Sequence, residues 1–120
     1  MNVQLELLLQ IQDLKSQRRE LTEADAGRAV EEEEFNVDVG AALDDLDATI
    51  AEVEEQLAPA IRERYLQLCR GRDRAVVPGI NGTCYGCFVS IPTAVASDVS
   101  SNQELQQCDN CGRFLYVIGP

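Results

Sequence analysis

The 120-residue sequence predicts an α+β protein, in which an antiparallel coiled-coil helical hairpin is followed by a small cysteine-rich unit of short strands. In the first half, apolar residues recur in alternating steps of four and three, the spacing of helices that pack side by side. In the second half, two Cys-x-x-Cys pairs stand close together. We expect residues 1–58 to form the hairpin, residues 59–74 a connecting helix, and residues 75–120 the cysteine-rich unit.

Two amphipathic segments account for the hairpin. Because no third long helix is available to complete a bundle, the two helices best bury their apolar faces by packing against each other in antiparallel. The seam of the first consists of Leu7, Ile11, Leu14, Arg18 and Leu21, and the seam of the second of Val39, Leu43, Leu46, Ile50, Val53 and Leu57. We expect burial between the helices of Leu14, Leu21, Phe35, Leu43, Leu46, Ile50 and Val53.

The sequence offers two positions for the turn of the hairpin. Residues 22–27 contain a capping threonine and a glycine, and a turn there separates a helix of about 19 residues from one of about 30. Residues 36–40 are the alternative, because Asp38 could cap a new helix there. We favour residues 22–27, since the alternative leaves residues 22–34 as a helix with almost no large apolar side chain.

The two cysteine pairs predict a metal site with four thiolate ligands. Each tight Cys-x-x-Cys turn delivers two sulfurs to one side of a metal, and Gly86 and Gly112 allow the backbone to curl so that its N–H groups point at the sulfurs. Zinc is the expected metal, although four cysteines also suit iron. A closed set of four ligands makes the metal structural rather than catalytic. The ligands are Cys84, Cys87, Cys108 and Cys111, while Cys69 is expected to be a small buried residue.

Shorter elements surround these cysteines in the layout of a C4 zinc ribbon. Pro59 is favoured at the start of a helix and Gly71 at its end. Asn81 and Gly82 form a turn before the first cysteine pair. We expect short antiparallel strands at residues 76–78, 104–107 and 114–118, and a short helix or turn at residues 91–99.

Charge is distributed unevenly along the chain, whose formal net charge is −11. Residues 1–58 carry sixteen Asp and Glu against four Lys and Arg, whereas residues 59–120 carry five against six. This balance excludes a basic footprint for nucleic acid over the whole chain. One local cluster remains as a set of possible nucleic-acid contacts: Arg62, Arg64, Arg70, Arg72 and Arg74.

Catalysis, secretion and membrane insertion are not expected. The chain has no histidine, and it shows no nucleophile beside a base and no phosphate-binding glycine loop. Its N-terminal leucines are interrupted by charged and polar residues, which is unlike a signal peptide or a membrane span. The sequence therefore indicates a non-enzymatic cytoplasmic protein, a compartment in which cysteine thiols stay reduced.

The second half resembles a known family. The runs Asn81-Gly82-Thr83-Cys84-Tyr85-Gly86-Cys87 and Cys108-Asp109-Asn110-Cys111-Gly112-Arg113-Phe114, with Ser90-Ile91-Pro92 between them, are similar to the bacterial C4-type zinc-ribbon family. The resemblance covers residues 57–118, and members of that family also carry an N-terminal coiled-coil hairpin. It implies a non-enzymatic regulator or adaptor connected with RNA binding, sigma-factor or flagellar control, or secretion chaperoning. The hairpin here is shorter than that of typical members.

Residues 28–39 show a second resemblance, to the DksA/TraR group of RNA polymerase regulators. The run Arg28-Ala29-Val30-Glu31-Glu32-Glu33-Glu34-Phe35 is similar to the start of the second hairpin helix in that group. Its members insert an acidic hairpin tip into the secondary channel of the polymerase. By this resemblance the partner-binding tip here consists of Glu23, Asp25 and Arg28, although Gly27 stands where the group has an aspartate.

Three functions are consistent with these features. The first is a transcription-associated regulator that binds RNA polymerase, or a related regulatory protein, through the hairpin. The second is an adaptor or chaperone that presents the coiled coil to client proteins. The third is an RNA-binding protein that uses the ribbon and the arginine cluster.

Overall fold

The computed structural model describes residues 2–27, 39–70, 74–92, 102 and 104–118. In this part of the chain, three helices precede a small curled sheet, so the predicted α+β class is confirmed. The helices are α1 (Val3–Gly27), α2 (Val39–Glu55) and α3 (Pro59–Cys69), and the strands are β1 (Val76–Ile80), β2 (Thr83–Cys84), β3 (Gln106–Gln107) and β4 (Phe114–Ile118). No helix among these residues is long and apolar enough to cross a membrane.

Helices α1 and α2 pack against each other in antiparallel. Gln4, at the start of α1, accepts a hydrogen bond of 2.8 Å from the backbone N–H of Ala58, just beyond the end of α2. Further along α1, Arg18 forms an ion pair of 2.6 Å with Asp47 in the first half of α2. Contacts at both ends therefore join residues whose numbers rise on one helix and fall on the other.

The predicted turn at residues 22–27 is wrong, because α1 continues through them to Gly27. Thr22 does not cap a new helix; its hydroxyl donates a hydrogen bond of 2.9 Å to the carbonyl of Arg18, one turn earlier in the same helix. The residues around it are mostly good helix formers, which outweigh the capping signal. The chain reverses between Gly27 and Val39; Val39 and Gly40 are already helical, and residues 28–38, including Phe35, lie outside the described part.

The apolar core lies at the base of the hairpin, where its open ends meet α3 and the sheet. Its buried members are Leu5, Leu8, Ile11, Ile50, Val53, Leu57, Tyr65, Leu68, Ala75, Val76 and Phe114. Burial of Ile50 and Val53 is as predicted, but Leu14, Leu21, Leu43 and Leu46 are only partly buried. The reason is geometric: at the base a third layer covers the seam, whereas farther out each helix covers only one side of the other.

Arg62 stabilises the joint between α2 and α3. Its guanidinium donates hydrogen bonds to the carbonyls of Glu54, Glu55 and Leu57, at 3.0, 2.7 and 3.1 Å. Glu54 and Glu55 end α2 and Leu57 lies just beyond it, where carbonyls lack the N–H partner that a further helical turn would supply. Helix α3 then begins at Pro59, as predicted.

The sheet has the strand order β2-β1-β4-β3. The pairs β1–β2 and β3–β4 are antiparallel, but the central pair β1–β4 is parallel, with Val76 opposite Phe114 and Ile80 opposite Ile118. The expectation of antiparallel strands alone is therefore wrong, since two hairpins lie side by side with their long strands pointing the same way. The strand predicted at residues 104–107 is limited to Gln106–Gln107, and residues 93–99 of the predicted short helix or turn lie outside the described part.

Asn102 ties the end of the sheet to the start of α1. Its side chain is buried and exchanges two hydrogen bonds with Val117, accepting from the backbone N–H at 2.9 Å and donating to the carbonyl at 3.1 Å. The carbonyl of Asn102 accepts a hydrogen bond of 2.8 Å from the N–H of Asn2. Asn2 in turn caps α1 by accepting hydrogen bonds from Gln4 and Leu5. Helix and sheet therefore share hydrogen bonds as well as a core.

Candidate metal centre

The first cysteine pair follows the tight turn between β1 and β2. Asn81 and Gly82 both have positive φ angles, of 51° and 76°, as the two-residue turns of β-hairpins require. The return strand ends at Cys84, which is fully buried. Beyond it, the N–H of Phe88 bonds to the carbonyl of Cys84 at 2.6 Å, and the N–H of Gly86 points at the Cys84 sulfur at 3.4 Å. The backbone therefore curls around the sulfur, as predicted.

The second cysteine pair forms a matching turn between β3 and β4. The N–H of Cys108 bonds to the carbonyl of Arg113 at 2.8 Å, and the N–H of Gly112 bonds to the carbonyl of Cys108 at 2.9 Å. Gly112 has a φ of 76°, a conformation that side chains other than glycine seldom adopt. The parallel pairing of β1 with β4 then brings this turn beside the first one.

The four sulfurs of Cys84, Cys87, Cys108 and Cys111 lie within 4.8 Å of one another. Two cross-turn separations are 3.8 Å between the sulfurs of Cys84 and Cys111 and 3.6 Å between those of Cys87 and Cys108, and no disulfide joins them. A tetrahedron of sulfurs about 2.3 Å from a zinc ion has edges of about 3.8 Å. The sulfur positions therefore fit a zinc ion with four thiolate ligands and no open coordination position.

Residues 83–115 match the family model of the C4-type zinc ribbon domain. These residues are a C4-type zinc ribbon. No curated protein matches the chain. One similar solved structure is that of CT398 from Chlamydia trachomatis, which is 24% identical with a TM-score of 0.55 and covers 85% of this chain. This chain spans 45% of that one, and the likeness shows the fold alone.

Two arginines lie against the turns of the zinc ribbon. A side chain at Gly86 would meet the guanidinium of Arg113, and a side chain at Gly112 would meet that of Arg64. Arg64 also donates a hydrogen bond of 3.4 Å to the carbonyl of Gly112. Each turn glycine therefore leaves room for one cation.

The chemistry of these cations fits a zinc–thiolate group. Zinc with four thiolates carries a charge of about −2, which guanidinium groups can offset. The Nε atom of Arg113 is buried and has no hydrogen-bond partner among the described residues, so a donor is available near the first cysteine turn. Sequence reasoning missed this role. Two sequence positions could have indicated it. Arg113 directly follows the second cysteine turn, and Arg64 lies on the helix that precedes the ribbon.

Without metal, the thiols of the ribbon are unequal. A hydrogen bond from the Asn110 side chain, which comes from the opposite turn, is the main cause that lowers the pKa of Cys87 to about 6. Burial raises the pKa of Cys84 to about 12, and burial also raises the pKa of Cys111. Cys87 is therefore largely ionised at neutral pH before a metal binds, whereas Cys84 and Cys111 must each lose a proton to solvent on binding the metal.

The other predicted site residues are not brought together. In the hairpin tip, Glu23 is exposed on α1, the side chain of Asp25 is not described, and Arg28 lies outside the described part. Within the arginine cluster, Arg62 is held by backbone carbonyls and Arg64 by Gly112. Arg70 and Arg74 are exposed, and Arg72 lies outside the described residues.

Proposed function

We propose that this chain is a non-enzymatic zinc-binding regulatory protein whose acidic hairpin binds a basic surface on a protein partner, with RNA polymerase as the first partner to test. The observation that carries the proposal is the composition of α2. Its 17 residues include six carboxylates and no lysine or arginine. A helix with this charge is attracted to cations on a partner and repelled by nucleic-acid phosphates.

Most carboxylates of α2 are exposed, where a partner protein could contact them. Asp44, Asp45, Glu52 and Glu55 are exposed, and the one ion pair found among the described residues, Arg18 with Asp47, leaves these four unpaired. Like charges at this spacing repel one another, so a cationic groove that surrounds the helix would lower its free energy. Such an interface weakens steeply as salt rises.

The zinc ribbon has a supporting role in this proposal. Its closed ligand set leaves no position for a substrate, and bound zinc would hold the two turns together. Since Val76 and Phe114 of the sheet belong to the same core as Leu8 of α1, the ribbon fixes the base from which the hairpin projects. The dependence of the site on reduced thiols supports a cytoplasmic location.

The resemblance of residues 28–39 to the DksA/TraR group supports the choice of polymerase as partner. The test is a binding titration of the zinc-loaded chain against purified RNA polymerase at low and moderate salt, followed by a transcription assay on a sensitive promoter. We expect micromolar binding that weakens by about tenfold or more as salt rises. Replacing Glu23 and Asp25 by alanine should abolish the effect on transcription.

A matched control distinguishes the effect of the carboxylates at the hairpin tip from that of an exposed carboxylate elsewhere. Glu6 is exposed near the start of α1, at the opposite end of the hairpin, and its replacement by glutamine should leave binding unchanged. If the wild-type chain neither binds polymerase nor alters transcription at micromolar concentration, the polymerase proposal fails. A single other protein recovered with the chain, and released by the same hairpin variants, would then favour the adaptor function.

A second candidate, RNA binding by the ribbon, rests on a different observation. Tyr85 and Phe88 on the first cysteine turn are exposed, with ring centroids 5.6 Å apart, and exposed aromatic rings can stack on unpaired bases. Arg70 and Arg74 are available for phosphates. Binding of a single-stranded RNA that is lost in Phe88→Ala and retained when Glu23 and Asp25 are replaced would support this function.

A further inference from the structure

A small pocket lies between α1, α3 and the residues that lead into β1. It is lined by Gln12, Lys15, Arg19, Tyr65, Cys69 and Arg74, among others, and contains none of the zinc ligands. Lys15 and Arg19 are four residues apart on α1 and therefore share one face of that helix. Arg74 reaches the pocket from the chain that enters β1. Three cations thus line one pocket in a chain whose net charge is −11.

Lys15 is held in this pocket by groups that carry no formal charge. Its ammonium group lies 4.7 Å above the centre of the Tyr65 ring and donates to the Cys69 sulfur at 3.7 Å. An aromatic ring orients a cation without neutralising it. The ion pair found among the described residues joins Arg18 to Asp47. No carboxylate among these residues forms an ion pair with Lys15, Arg19 or Arg74. The charges of the pocket are therefore not compensated from within the described fold.

We propose that this pocket binds a small oxyanion of the phosphate type. Three uncompensated cations repel one another, and an anion with several acceptor oxygens would remove that repulsion while accepting hydrogen bonds from all three. Lys15, Arg19 and Arg74 are the ligands, and the Cys69 thiol lies at the edge of the site. Binding here is independent of the hairpin carboxylates and of the zinc ligands.

Cys69 provides a reporter for this pocket. The chain has five cysteines, and in the zinc-loaded protein the other four are metal ligands. We would measure the alkylation rate of Cys69 with anionic iodoacetate and with neutral iodoacetamide, by peptide mass spectrometry. The ratio of the two rates should exceed that of a small free thiol by about threefold or more, because the cations attract the anionic reagent. Inorganic phosphate at about 10 mM should return the ratio to that of the free thiol, whereas potassium chloride of equal ionic strength should not.

Two variants complete the test. Replacing Arg19 and Arg74 together by glutamine should lower the preference for iodoacetate, of which Lys15 retains a part, and should remove the effect of phosphate. Arg18→Gln is the matched control. It removes the same charge at the residue next to Arg19, from a side chain that is paired with Asp47 and does not line the pocket. It should leave both results unchanged.

Three results would overturn the proposal. The first is a rate ratio that is the same in the wild type and in the doubly substituted variant. The second is an equal effect of phosphate and chloride, which would mean that salt merely screens the pocket. The third is protection of Cys69 by a short single-stranded RNA but not by phosphate, which would assign these cations to a nucleic-acid surface.

Discussion

Replacing Gly112 by alanine tests whether the Arg64 guanidinium is held against the second cysteine turn. Gly82 supplies a matched control, because both glycines have a φ of 76° and pay the same conformational penalty on substitution. That penalty is about 1–2 kcal/mol for a residue other than glycine. A Cβ atom at Gly82 would meet no atom within 4 Å, whereas one at Gly112 would meet the guanidinium of Arg64.

The difference in the free energy of unfolding between the two variants measures the contribution of the contact between Arg64 and Gly112. In Gly112→Ala, Arg64 must move away and lose its hydrogen bond of 3.4 Å to the Gly112 carbonyl. Because Arg64 is exposed and flexible, we expect this loss to add only about 1 kcal/mol. Gly82→Ala should therefore lower the free energy of unfolding by about 1–2 kcal/mol, and Gly112→Ala by about 2–3 kcal/mol.

Urea unfolding of the zinc-loaded chain would give both values, and transfer of zinc to a coloured chelator would give the rate of metal loss. Metal loss should be faster in Gly112→Ala than in Gly82→Ala, because a cation has been moved away from the thiolates. In an Arg64→Ala background the difference between the two glycine variants should vanish. Equal stabilities within about 0.5 kcal/mol, together with an unchanged rate of zinc loss in Arg64→Ala, would refute the reasoning.

Three further predictions concern the core and the metal. Leu8→Ala should cost about 2–5 kcal/mol in urea unfolding because Leu8 is fully buried, whereas Leu66→Ala, at an exposed position, should change stability by less than about 0.5 kcal/mol. Asn110→Ala removes the hydrogen bond that is the main cause of the lowered pKa of Cys87, so protons should compete better for this ligand and an acid titration of the zinc-loaded chain should release zinc at a higher pH than in the wild type; an unchanged release pH would count against that hydrogen bond. A chelator should remove about one zinc per chain and, with it, the sheet but not the helical circular dichroism; Cys69→Ser should keep the metal, and loss of zinc in that variant would contradict the ligand set.

Each half of the metal site was predictable from the sequence because the geometry of a Cys-x-x-Cys pair is local. Two residues between cysteines fix the distance between the sulfurs of one pair, and Gly86 and Gly112 mark where the backbone must turn. The helices were predictable for a similar reason, since their apolar spacing is a property of consecutive residues. In both cases the predictive pattern lies in neighbouring residues, although the parallel pairing of β1 with β4 is what brings the two cysteine turns together.

The features that sequence reasoning missed depend on contacts between distant residues. Spacing showed which side chains share a face, but it did not show that α3 and the sheet would cover only the base of the hairpin, so Leu43 and Leu46 were expected to be more buried than they are. The role of Arg64 depends on a contact with Gly112, 48 residues later. The turn was misplaced because residues 22–27 are helical although they carry no large apolar side chain and contain a capping threonine and a glycine; their other residues are mostly good helix formers.

The position of the core has a consequence for how such a chain can vary. The buried contacts of the hairpin are concentrated at the end that touches the zinc ribbon, and they thin out toward Leu21 and Leu43. Segments of equal length could be added to both helices beyond those residues without disturbing any buried side chain of the base. The length of the hairpin and the residues at its tip are thus physically separate from the base, where the hairpin packs on the zinc ribbon. The same base can therefore carry hairpins of different lengths.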